Sequence, residues 1–323
     1  MPDLKVLAII GRGRSGSTIL DNLLGEIDGF VSVGELHNFW QRALIKNEPC
    51  GCGRLVAQCA LWAKVLDRIN DTYPGGAPDP RTVVNWQEQI VRSRHTRRLL
   101  EPDAGSLAHL PDLKAYTRLL GAVYEAIGSA SSQRVIVDSS KRPAHGALLH
   151  LVPGITPYFI HLVRDVRAVA YSRRRKKVTA RREMRRSGSF ANAFKWIERN
   201  LASEAVRGRH QPAHSCFLRY EDFITDPART LRALVTMLEE KTDRLPLKGE
   251  RTALLGRNHA VAGNPSRFHE GEVMLRLDDE WIYKQRPRDR ATVTAITLPL
   301  LRKYGYPWRP TPGGMPKSLR AND

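Results

Sequence analysis

The chain has 323 residues, of which 41% are hydrophobic and 26% are charged, values ordinary for a globular protein. This composition excludes a disordered or collagen-like chain, and no apolar run approaches the roughly 18–20 residues that span a bilayer. Fifty-two Lys and Arg residues outnumber 33 Asp and Glu residues, which gives a formal charge of +19. Such a charge attracts polyanions: nucleic acid, an anionic membrane, or a small cofactor with several phosphates.

Short β-branched segments alternate with longer helical patterns along the chain. Apolar residues at helical spacing predict helices at Thr18–Glu26, Leu113–Ile127 and Ala191–Ala205. Alternation of strands and helices indicates an α/β fold with a mainly parallel sheet flanked by helices on both faces. The predicted strands are Lys5–Ile10, Arg134–Val137, Tyr158–Val163 and Ser215–Leu218.

The domain organisation is predicted to be simple, with a single domain over residues 1–308. Residues 62–131 are helical and polar, with a break at Tyr73–Pro78, and we interpret them as a helical insertion over the sheet. The Pro/Gly-rich segment 309–323 is expected to be a flexible tail. The first apolar run stops at Gly11, too early for a secretory leader, so a cytoplasmic location is expected.

Three of the four cysteines form the cluster Cys50-Gly51-Cys52-Gly53…Cys59. A zinc site usually takes four ligands in pairs such as C-x2-C, and this cluster lacks a second pair. The nearest additional ligand along the chain is His37. We therefore expect no metal site here and favour a surface loop with free thiols or a local disulfide.

A run of nine basic residues lies between Arg173 and Arg186. Such a run is typical of a solvated helix face or a mobile loop, and a docking surface for an acidic ligand is the alternative. Nucleic acid is disfavoured as a partner, because no aromatic residues are interleaved as stacking platforms and no helix-turn-helix or zinc-finger pattern is present.

The strongest signal is the segment Gly11-Arg12-Gly13-Arg14-Ser15-Gly16-Ser17-Thr18, which follows a predicted strand and opens a predicted helix. In this context the glycines allow turns that aim backbone N–H groups at one centre, and the helix N-terminus adds partial positive charge. The segment is therefore predicted to bind an anion.

The spacing of this loop matches the P-loop pattern G-x-x-x-x-G-K-[ST], except that Ser17 stands where the pattern has lysine. A nucleotide triphosphatase needs that lysine on the terminal phosphates. Asp138, which follows a short apolar strand, is also similar to a carboxylate that holds Mg²⁺. A P-loop small-molecule kinase therefore stays open as the alternative function.

With its Arg-Ser-Gly-[ST]-Thr core, the loop resembles that of the sulfotransferases that use 3′-phosphoadenosine 5′-phosphosulfate (PAPS), including the tyrosylprotein branch. The resemblance implies a P-loop-like fold and a PAPS-dependent O-sulfotransferase. It implies that Arg14 contacts the bridging oxygen and that the residues after it hold the 5′-phosphate and the sulfuryl group. The cofactor-binding residues assigned in this loop are Arg12, Gly13, Arg14, Ser15, Gly16, Ser17 and Thr18.

The family has a second element, for the 3′-phosphate of the cofactor: an arginine after a strand and a serine eight positions later in a helix. Arg164 and Ser172 match this pattern, and an arginine fork suits bidentate contact with phosphate. On the residues alone, Arg164 could instead pair with Asp165 or Asp138. Tyr220 and Arg267 resemble residues near the adenine and in a late loop over the cofactor, and Tyr220 could equally be an ordinary half-buried tyrosine.

The resemblance also implies the catalytic base. In the tyrosylprotein branch a Gly-Glu pair at this position provides a glutamate, which Glu35 matches, while His37 is the rival base because other branches use histidine. Lys141 and Ser140, at the end of a strand beside the loop, are expected to contact the sulfuryl oxygens or the acceptor. Arg14, Glu35, His37 and Lys141 are therefore the candidate catalytic residues.

The expected reaction moves a sulfuryl group from PAPS to a hydroxyl of a small-molecule or carbohydrate acceptor, leaving adenosine 3′,5′-bisphosphate, and requires no metal. The expected partners are this acceptor and no nucleic acid or membrane, and a homodimer is compatible with the sequence. The pattern does not identify the acceptor.

Overall fold

The computed structural model describes residues 4–101, 110, 112–174, 178–179, 182–183, 188–210 and 212–310. The strands are β1 (Leu4–Gly11), β2 (Phe30–Gly34), β3 (Val135–Lys141), β4 (Ile155–Val163), β5 (Val178–Thr179), β6 (Arg182–Glu183), β7 (Ser215–Arg219), β8 (Leu247–Lys248), β9 (Thr252–Leu255) and β10 (Gly271–Met274). The helices are α1 (Ser17–Gly25), α2 (Ala60–Thr72), α3 (Pro80–Ile90), α4 (Thr96–Leu99), α5 (Leu113–Ser131), α6 (Pro143–Leu148), α7 (Val166–Arg174), α8 (Ser189–Arg209), α9 (Tyr220–Thr225), α10 (Pro227–Met237), α11 (Glu280–Lys284) and α12 (Pro287–Lys303).

The central sheet contains five parallel strands in the order β2–β3–β1–β4–β7. Val6, Ala8 and Ile10 of β1 belong to the hydrophobic cluster on one face, with α2, α5 and α6. Leu7 and Ile9 belong to the cluster on the other face, with α1, α9 and α10. A strand covered on both faces is apolar at every position, which explains the run from Val6 to Ile10. The predicted α/β fold with a mainly parallel sheet flanked by helices is confirmed.

The edge strand β2 is an element that the strand prediction missed. It is five residues long, begins directly after Gly29, ends at Gly34, and contains a buried serine. The Ser32 hydroxyl donates to the Asp21 carboxylate on α1 over 2.7 Å, which compensates for the burial of this polar group. A short segment with a polar residue on its buried side lacks the apolar pattern by which strands are recognised.

The polar stretch between residues 62 and 131 contains α2, α3, α4 and α5, with a non-helical break at residues 73–79. Helix α3 begins after the predicted break, where the Asp79 side chain accepts a hydrogen bond from the backbone of Arg81 over 2.8 Å. Trp62, Val65 and Tyr116 are buried in the cluster on one face of the sheet. None of the described helices combines the length and the apolarity needed to cross a bilayer.

A buried ion pair fixes the position of α7. Arg167 is fully buried and lies 2.6 Å from the carboxylate of Asp165. Its guanidinium also donates to the carbonyls of Pro307 and Trp308, at 2.8 and 2.9 Å. The buried Asp165 carboxylate and these two carbonyls together tie the end of the described chain to the start of α7. The expected tail lies largely outside the described residues, which end at Pro310.

Most of the predicted basic run also lies outside the part of the chain whose side chains are described. Arg173 and Arg174 form the last turn of α7, and Val178–Thr179 pairs antiparallel with Arg182–Glu183. Beyond this pairing, the prediction of a solvated face or a docking surface concerns residues that the structure does not describe.

We expect Gly11→Ala to destabilise the protein by about 1–3 kcal/mol, because the new methyl group overpacks the sheet. Gly11 has φ +136°, and a Cβ there would lie 2.4 Å from the carbonyl oxygen of Leu162 on β4. Urea unfolding measures this change. The control is Gly208→Ala inside α8, where the added Cβ meets nothing within 4 Å and the protein should gain about 0.5–1 kcal/mol. Equal stability of the two variants would contradict the close approach of β1 and β4.

Candidate functional site

The candidate groups meet because they follow parallel strands whose carboxyl ends share one edge of the sheet. The glycine loop follows β1, Glu35 follows β2, and Lys141 ends β3. Arg164 follows β4 and Tyr220 follows β7. Ligands of parallel α/β sheets bind at this edge, so the topology brings together residues that are far apart in the chain.

The glycine loop connects β1 to α1 through two left-handed residues. Arg14 has φ +81° and Gly16, the residue before α1, has φ +83°. Left-handed residues in such a loop turn successive N–H groups toward one side, and the first N–H groups of α1 have no partner within the helix. The Ser15 hydroxyl is buried and makes no hydrogen bond within the described structure. This geometry is that of an anion cradle.

The two predicted phosphate elements are in direct contact. The Arg14 Nε donates to the Ser172 hydroxyl over 3.0 Å, and an Arg164 N–H donates to the carbonyl of Arg14 over 3.2 Å. Arg164 forms its ion pair with Asp278, at 3.0 Å, and not with the sequence neighbours Asp165 or Asp138. The structure therefore brings Arg14 of the loop together with Arg164 and Ser172 in one basic cluster.

Tyr220 lies under this cluster and is buried. Its ring centroid lies 4.5 Å from the Arg164 guanidinium carbon. A Cβ on Gly16 would lie 2.3 Å from the same ring, so the aromatic side chain closes the underside of the cradle. In this structure Tyr220 supports the loop and orients Arg164 through a cation–π contact.

Glu35 and Lys141 form an ion pair of 2.5 Å beside the loop. The Asn38 amide donates to the other carboxylate oxygen of Glu35 over 2.6 Å. Burial by itself raises the pKa of Glu35, but the Lys141 ammonium and the Asn38 hydrogen bond outweigh burial and hold the pKa below its usual value. Glu35 is therefore ionised at neutral pH, with its counter-ion already in place.

His37 is less accessible than Glu35. Its backbone N–H donates to the Ser140 hydroxyl over 2.9 Å, and its ring lies edge-on to His145. Burial, together with the positive charge of Arg142, lowers the pKa of His37 well below its usual value. The ring is neutral at physiological pH, and its buried Nδ1 makes no hydrogen bond within the described structure.

Asp138, the candidate Mg²⁺ ligand of the kinase alternative, has both oxygens engaged. One oxygen accepts from the backbone and the hydroxyl of Ser140, and the other accepts from Tyr124 over 2.8 Å and lies 3.1 Å from His145 Nε2. Burial raises its pKa, and the hydrogen bonds from His145, Ser140 and Tyr124 outweigh that effect and lower it. The carboxylate therefore holds β3 against α5 and α6 and has no oxygen left for a metal.

Four arginines give the site a strong positive potential. Burial, and next the charge of Arg173, lower the pKa of Arg12 to about 9. Burial and the charge of Arg199 likewise lower the pKa values of Arg173 and Arg142. Among the described carboxylates, none lies within ion-pair distance of these arginines, so the cationic group is arranged for an external anion.

Arg267 does not contact the glycine loop or the Arg14–Arg164–Ser172 cluster in the contacts described. It is buried, donates to the carbonyl of Pro49 over 3.1 Å, and stacks on Phe268 with its guanidinium carbon 4.2 Å from the ring centroid. The structure therefore does not bring Arg267 into the group around the loop. Its assignment as a cofactor contact stays a prediction without a supporting contact.

Sequence reasoning missed several residues of the site. Asn38 holds Glu35, and Asp278 holds Arg164. The loop from His259 to Gly263 packs on Glu35, so that a Cβ added at Gly263 would lie 3.1 Å from the carboxylate. Asn38, three residues after Glu35, was visible as a local polar neighbour. No pattern in the chain joins the other contacts, which span more than a hundred residues.

Comparison with known proteins identifies the family to which the chain belongs. The profile of the sulfotransferase family matches residues 7–244, a range that contains the glycine loop, Glu35, Lys141, Arg164 and Tyr220. The chain therefore belongs to the sulfotransferase family. A search of curated proteins finds no match.

Several solved structures are similar to this chain at low sequence identity. A sulfotransferase domain from the curacin biosynthetic pathway is 18% identical, with 95% of this chain and 99% of that chain covered and a TM-score of 0.49. A sulfotransferase domain from the Synechococcus PCC 7002 olefin synthase is 19% identical over 95% and 96%, with a TM-score of 0.49. A sulfotransferase from Mycobacterium avium is 14% identical over 96% and 79%, with a TM-score of 0.48.

Asp21 is a buried carboxyl group on α1, directly behind the cradle. Burial raises its pKa from the ordinary 3.8 to about 7, although the Ser32 hydroxyl donates to it. Its second oxygen makes no hydrogen bond within the described structure. The folded protein therefore holds a proton on Asp21 at pH values where the unfolded chain has lost it.

The Asp21→Asn substitution tests this protonation through stability. Between pH 4 and pH 7 the folded state binds the extra proton, so raising the pH across this window destabilises the wild type relative to the variant, by about 4 kcal/mol in total. Urea unfolding at several pH values measures the difference. The exposed Asp28→Asn is the control and should show no such trend, and parallel pH curves for Asp21→Asn and wild type would refute the assignment.

Proposed function

We propose that this sulfotransferase moves a sulfuryl group from PAPS to a hydroxyl of a small-molecule or carbohydrate acceptor. The observation that supports the proposal most is that Arg14 of the glycine loop contacts both Ser172 and Arg164. These contacts lie at the strand edge where Glu35 and Lys141 form their ion pair. A donor with a 5′-phosphosulfate and a 3′-phosphate has two anionic ends, and the site has adjacent groups for both.

The residues around the loop fit such a donor. Ser15 Oγ and the Nε atoms of Arg12 and Arg164 are buried polar atoms that make no hydrogen bond within the described structure. Buried polar atoms without partners are costly, and phosphate or sulfuryl oxygens are the acceptors that satisfy an N–H or an O–H. We assign the 5′-phosphosulfate to the loop and the 3′-phosphate to Arg164 and Ser172. The Arg14 side chain must then leave Ser172 and turn toward the loop.

The chain's own residues provide positioning and charge for the transfer. When bound, the donor supplies a sulfuryl group, so that the acceptor oxygen bonds to sulfur while the bond from sulfur to the bridging phosphate oxygen breaks. Glu35, ionised and partly exposed, accepts the proton of the acceptor hydroxyl. Arg14 neutralises the charge that develops on the leaving phosphate, and Lys141 faces the sulfuryl oxygens. No step assigned to these residues needs a metal.

The kinase alternative finds less support in the same residues. The loop has Ser17 in place of the phosphate-binding lysine, and the Asp138 oxygens are engaged by Tyr124, His145 and Ser140. A phosphate-transfer enzyme of this type requires both a phosphate-binding lysine and a carboxylate that is available for Mg²⁺. The two functions also differ in their ligand, since ATP lacks the 3′-phosphate that Arg164 and Ser172 are proposed to bind.

Adenosine 3′,5′-bisphosphate should raise the thermal midpoint of the protein, whereas ATP with Mg²⁺ should leave it nearly unchanged.

We expect Arg164→Ala to weaken binding of the bisphosphate by about 10- to 100-fold, because a charged hydrogen-bonded contact is lost. Isothermal titration calorimetry measures this loss. Arg232→Ala, exposed on α10, is the charge-matched control. Preferential binding of ATP–Mg²⁺, unaffected by Arg164→Ala, would favour the kinase.

Transfer activity should depend on the Glu35–Lys141 pair in a pH-specific manner. Glu35→Gln should lower kcat by about 10²- to 10⁴-fold. Lys141→Met removes the charge that does most to lower the Glu35 pKa, so the effect of burial then dominates and the acid limb of kcat/KM should move to higher pH. The exposed Lys303→Met is the control. Full activity of Glu35→Gln with loss of activity in His37→Ala would make His37 the base.

A further inference from the structure

The three clustered cysteines are not in the surface arrangement that their sequence indicates. Cys50 and Cys59 are buried, and all the described cysteines are free thiols. A fourth metal-ligating side chain, His259, joins them from the other end of the chain, and the ligand atoms of Cys50, Cys52, Cys59 and His259 all lie within 4.8 Å of one another. His37, the nearest candidate along the sequence, is not part of this group.

The distances among the ligand atoms of Cys50, Cys59 and His259 are close to those of a tetrahedral metal centre. Bonds of about 2.3 Å to sulfur and about 2.0–2.1 Å to nitrogen place two tetrahedral sulfurs about 3.8 Å apart and a sulfur and a nitrogen about 3.6 Å apart. The Sγ atoms of Cys50 and Cys59 are 3.7 Å apart, and His259 Nδ1 lies 3.8 and 3.1 Å from them. A disulfide requires about 2.05 Å, so the two thiols are spaced as co-ligands.

The backbone around the cluster is built to hold this arrangement. Gly53 has φ +82°, and its N–H donates to the Cys50 carbonyl over 2.8 Å, which closes a tight turn that brings Cys52 beside Cys50. A Cβ on Gly51 would lie 2.0 Å from the Asn258 side chain, so only glycine lets this turn pack against the segment before His259.

Further contacts orient His259 and balance the charge. The Trp62 indole donates to the His259 carbonyl over 2.8 Å, and the Gly51 N–H donates to the Ala260 carbonyl over 2.9 Å. Arg267, buried and bonded to the carbonyl of Pro49, lies beside Cys50. Three thiolates, one neutral imidazole and a divalent cation have a net charge of −1, which the Arg267 guanidinium offsets. This gives Arg267 a role outside the donor site.

We propose that Cys50, Cys52, Cys59 and His259 bind one Zn²⁺ ion in a closed tetrahedral Cys₃His centre that links residues 50–59 to the loop after residue 258. Binding displaces the three thiol protons into solvent and uses His259 in its neutral form. Sulfur-rich tetrahedral donor sets favour zinc among the common divalent ions. Four protein ligands leave no open position for substrate, so the centre stabilises the fold and takes no part in the transfer.

Backbone hydrogen bonds connect the loop that follows His259 to Glu35, the candidate base. The Val261 N–H donates to the Val33 carbonyl and the Glu35 N–H donates to the Val261 carbonyl, both over 2.9 Å. Val261 is two residues from His259. The proposed ion therefore anchors a loop that forms part of the wall around Glu35.

Metal analysis of the full-length protein tests the proposal directly. Protein from zinc-supplemented culture, desalted without chelator, should contain close to one zinc per chain by mass spectrometry of the metal. Cys59→Ser and His259→Ala should lose it, His259→Cys should retain it, and the control Cys216→Ser should be unchanged. Zinc well below one equivalent in the wild type, or full zinc in Cys59→Ser or His259→Ala, would overturn the centre.

A second measurement keeps the test decisive if the variants fail to fold. Co²⁺ added to metal-stripped wild-type protein should give the intense visible absorption of a tetrahedral thiolate complex, and Zn²⁺ should abolish it. Chelation should lower the thermal midpoint by about 5 °C or more, and Zn²⁺ should restore it. Absence of the tetrahedral Co²⁺ spectrum, or a Cys50–Cys59 disulfide found under reducing conditions, would overturn the proposal. None of these readouts depends on sulfuryl transfer.

Discussion

Parallel pairing of five strands is the constraint on which the candidate site depends. Strands that run in one direction end at one edge, so the segments after β1, β2, β3 and β4 converge whatever their separation in the chain. The close approach of β1 and β4, with Gly11 against the Leu162 carbonyl, places the glycine loop next to Arg164. The loop and the arginine therefore form one cationic surface through backbone packing, before any side chain makes a contact.

The positive charge of the chain has a specific structural use at this edge. Arg12, Arg142 and Arg173 are partly buried, and their pKa values are lowered by burial and by neighbouring positive charges, above all that of Arg199 for Arg142 and Arg173 and that of Arg173 for Arg12. Such a cluster costs free energy in the folded protein, since like charges repel more strongly where water is excluded. An anion with several charges removes that cost on binding. The site is thus better suited to an anion with several charges than to a neutral ligand.

The sequence predicted the parts of the site that are local and missed those that depend on distant contacts. The glycine loop was recognised because an apolar strand, the glycines and a helix lie within one continuous segment. Strand β2 escaped notice because its buried Ser32 is satisfied by Asp21, a pairing that no periodicity reveals. His259 was missed as a partner of the cysteines for the same reason, since about 200 residues separate them.

Interpretation of the basic residues shows a further limit of sequence patterns. Arg267 stood in a loop that resembles a cofactor lid, yet its guanidinium lies on Phe268 and bonds to Pro49. An arginine can be read as an anion ligand from sequence, but burial and the nearest acceptor decide what it does. Here the contacts of the guanidinium are the Pro49 carbonyl and the Phe268 ring.

Glu35, the proposed base, is held in place by contacts from several parts of the fold. Its backbone is held by Val261, and its carboxylate is held by Lys141 and Asn38. Three independent restraints reduce the freedom of the carboxylate, which lowers the entropic cost of aligning it with a substrate hydroxyl. His37, two residues later, is buried and neutral, its ring packs against His145, and its Nδ1 makes no hydrogen bond among the described residues. Burial and the partners that surround each side chain thus favour Glu35 over His37 for the proposed role of base.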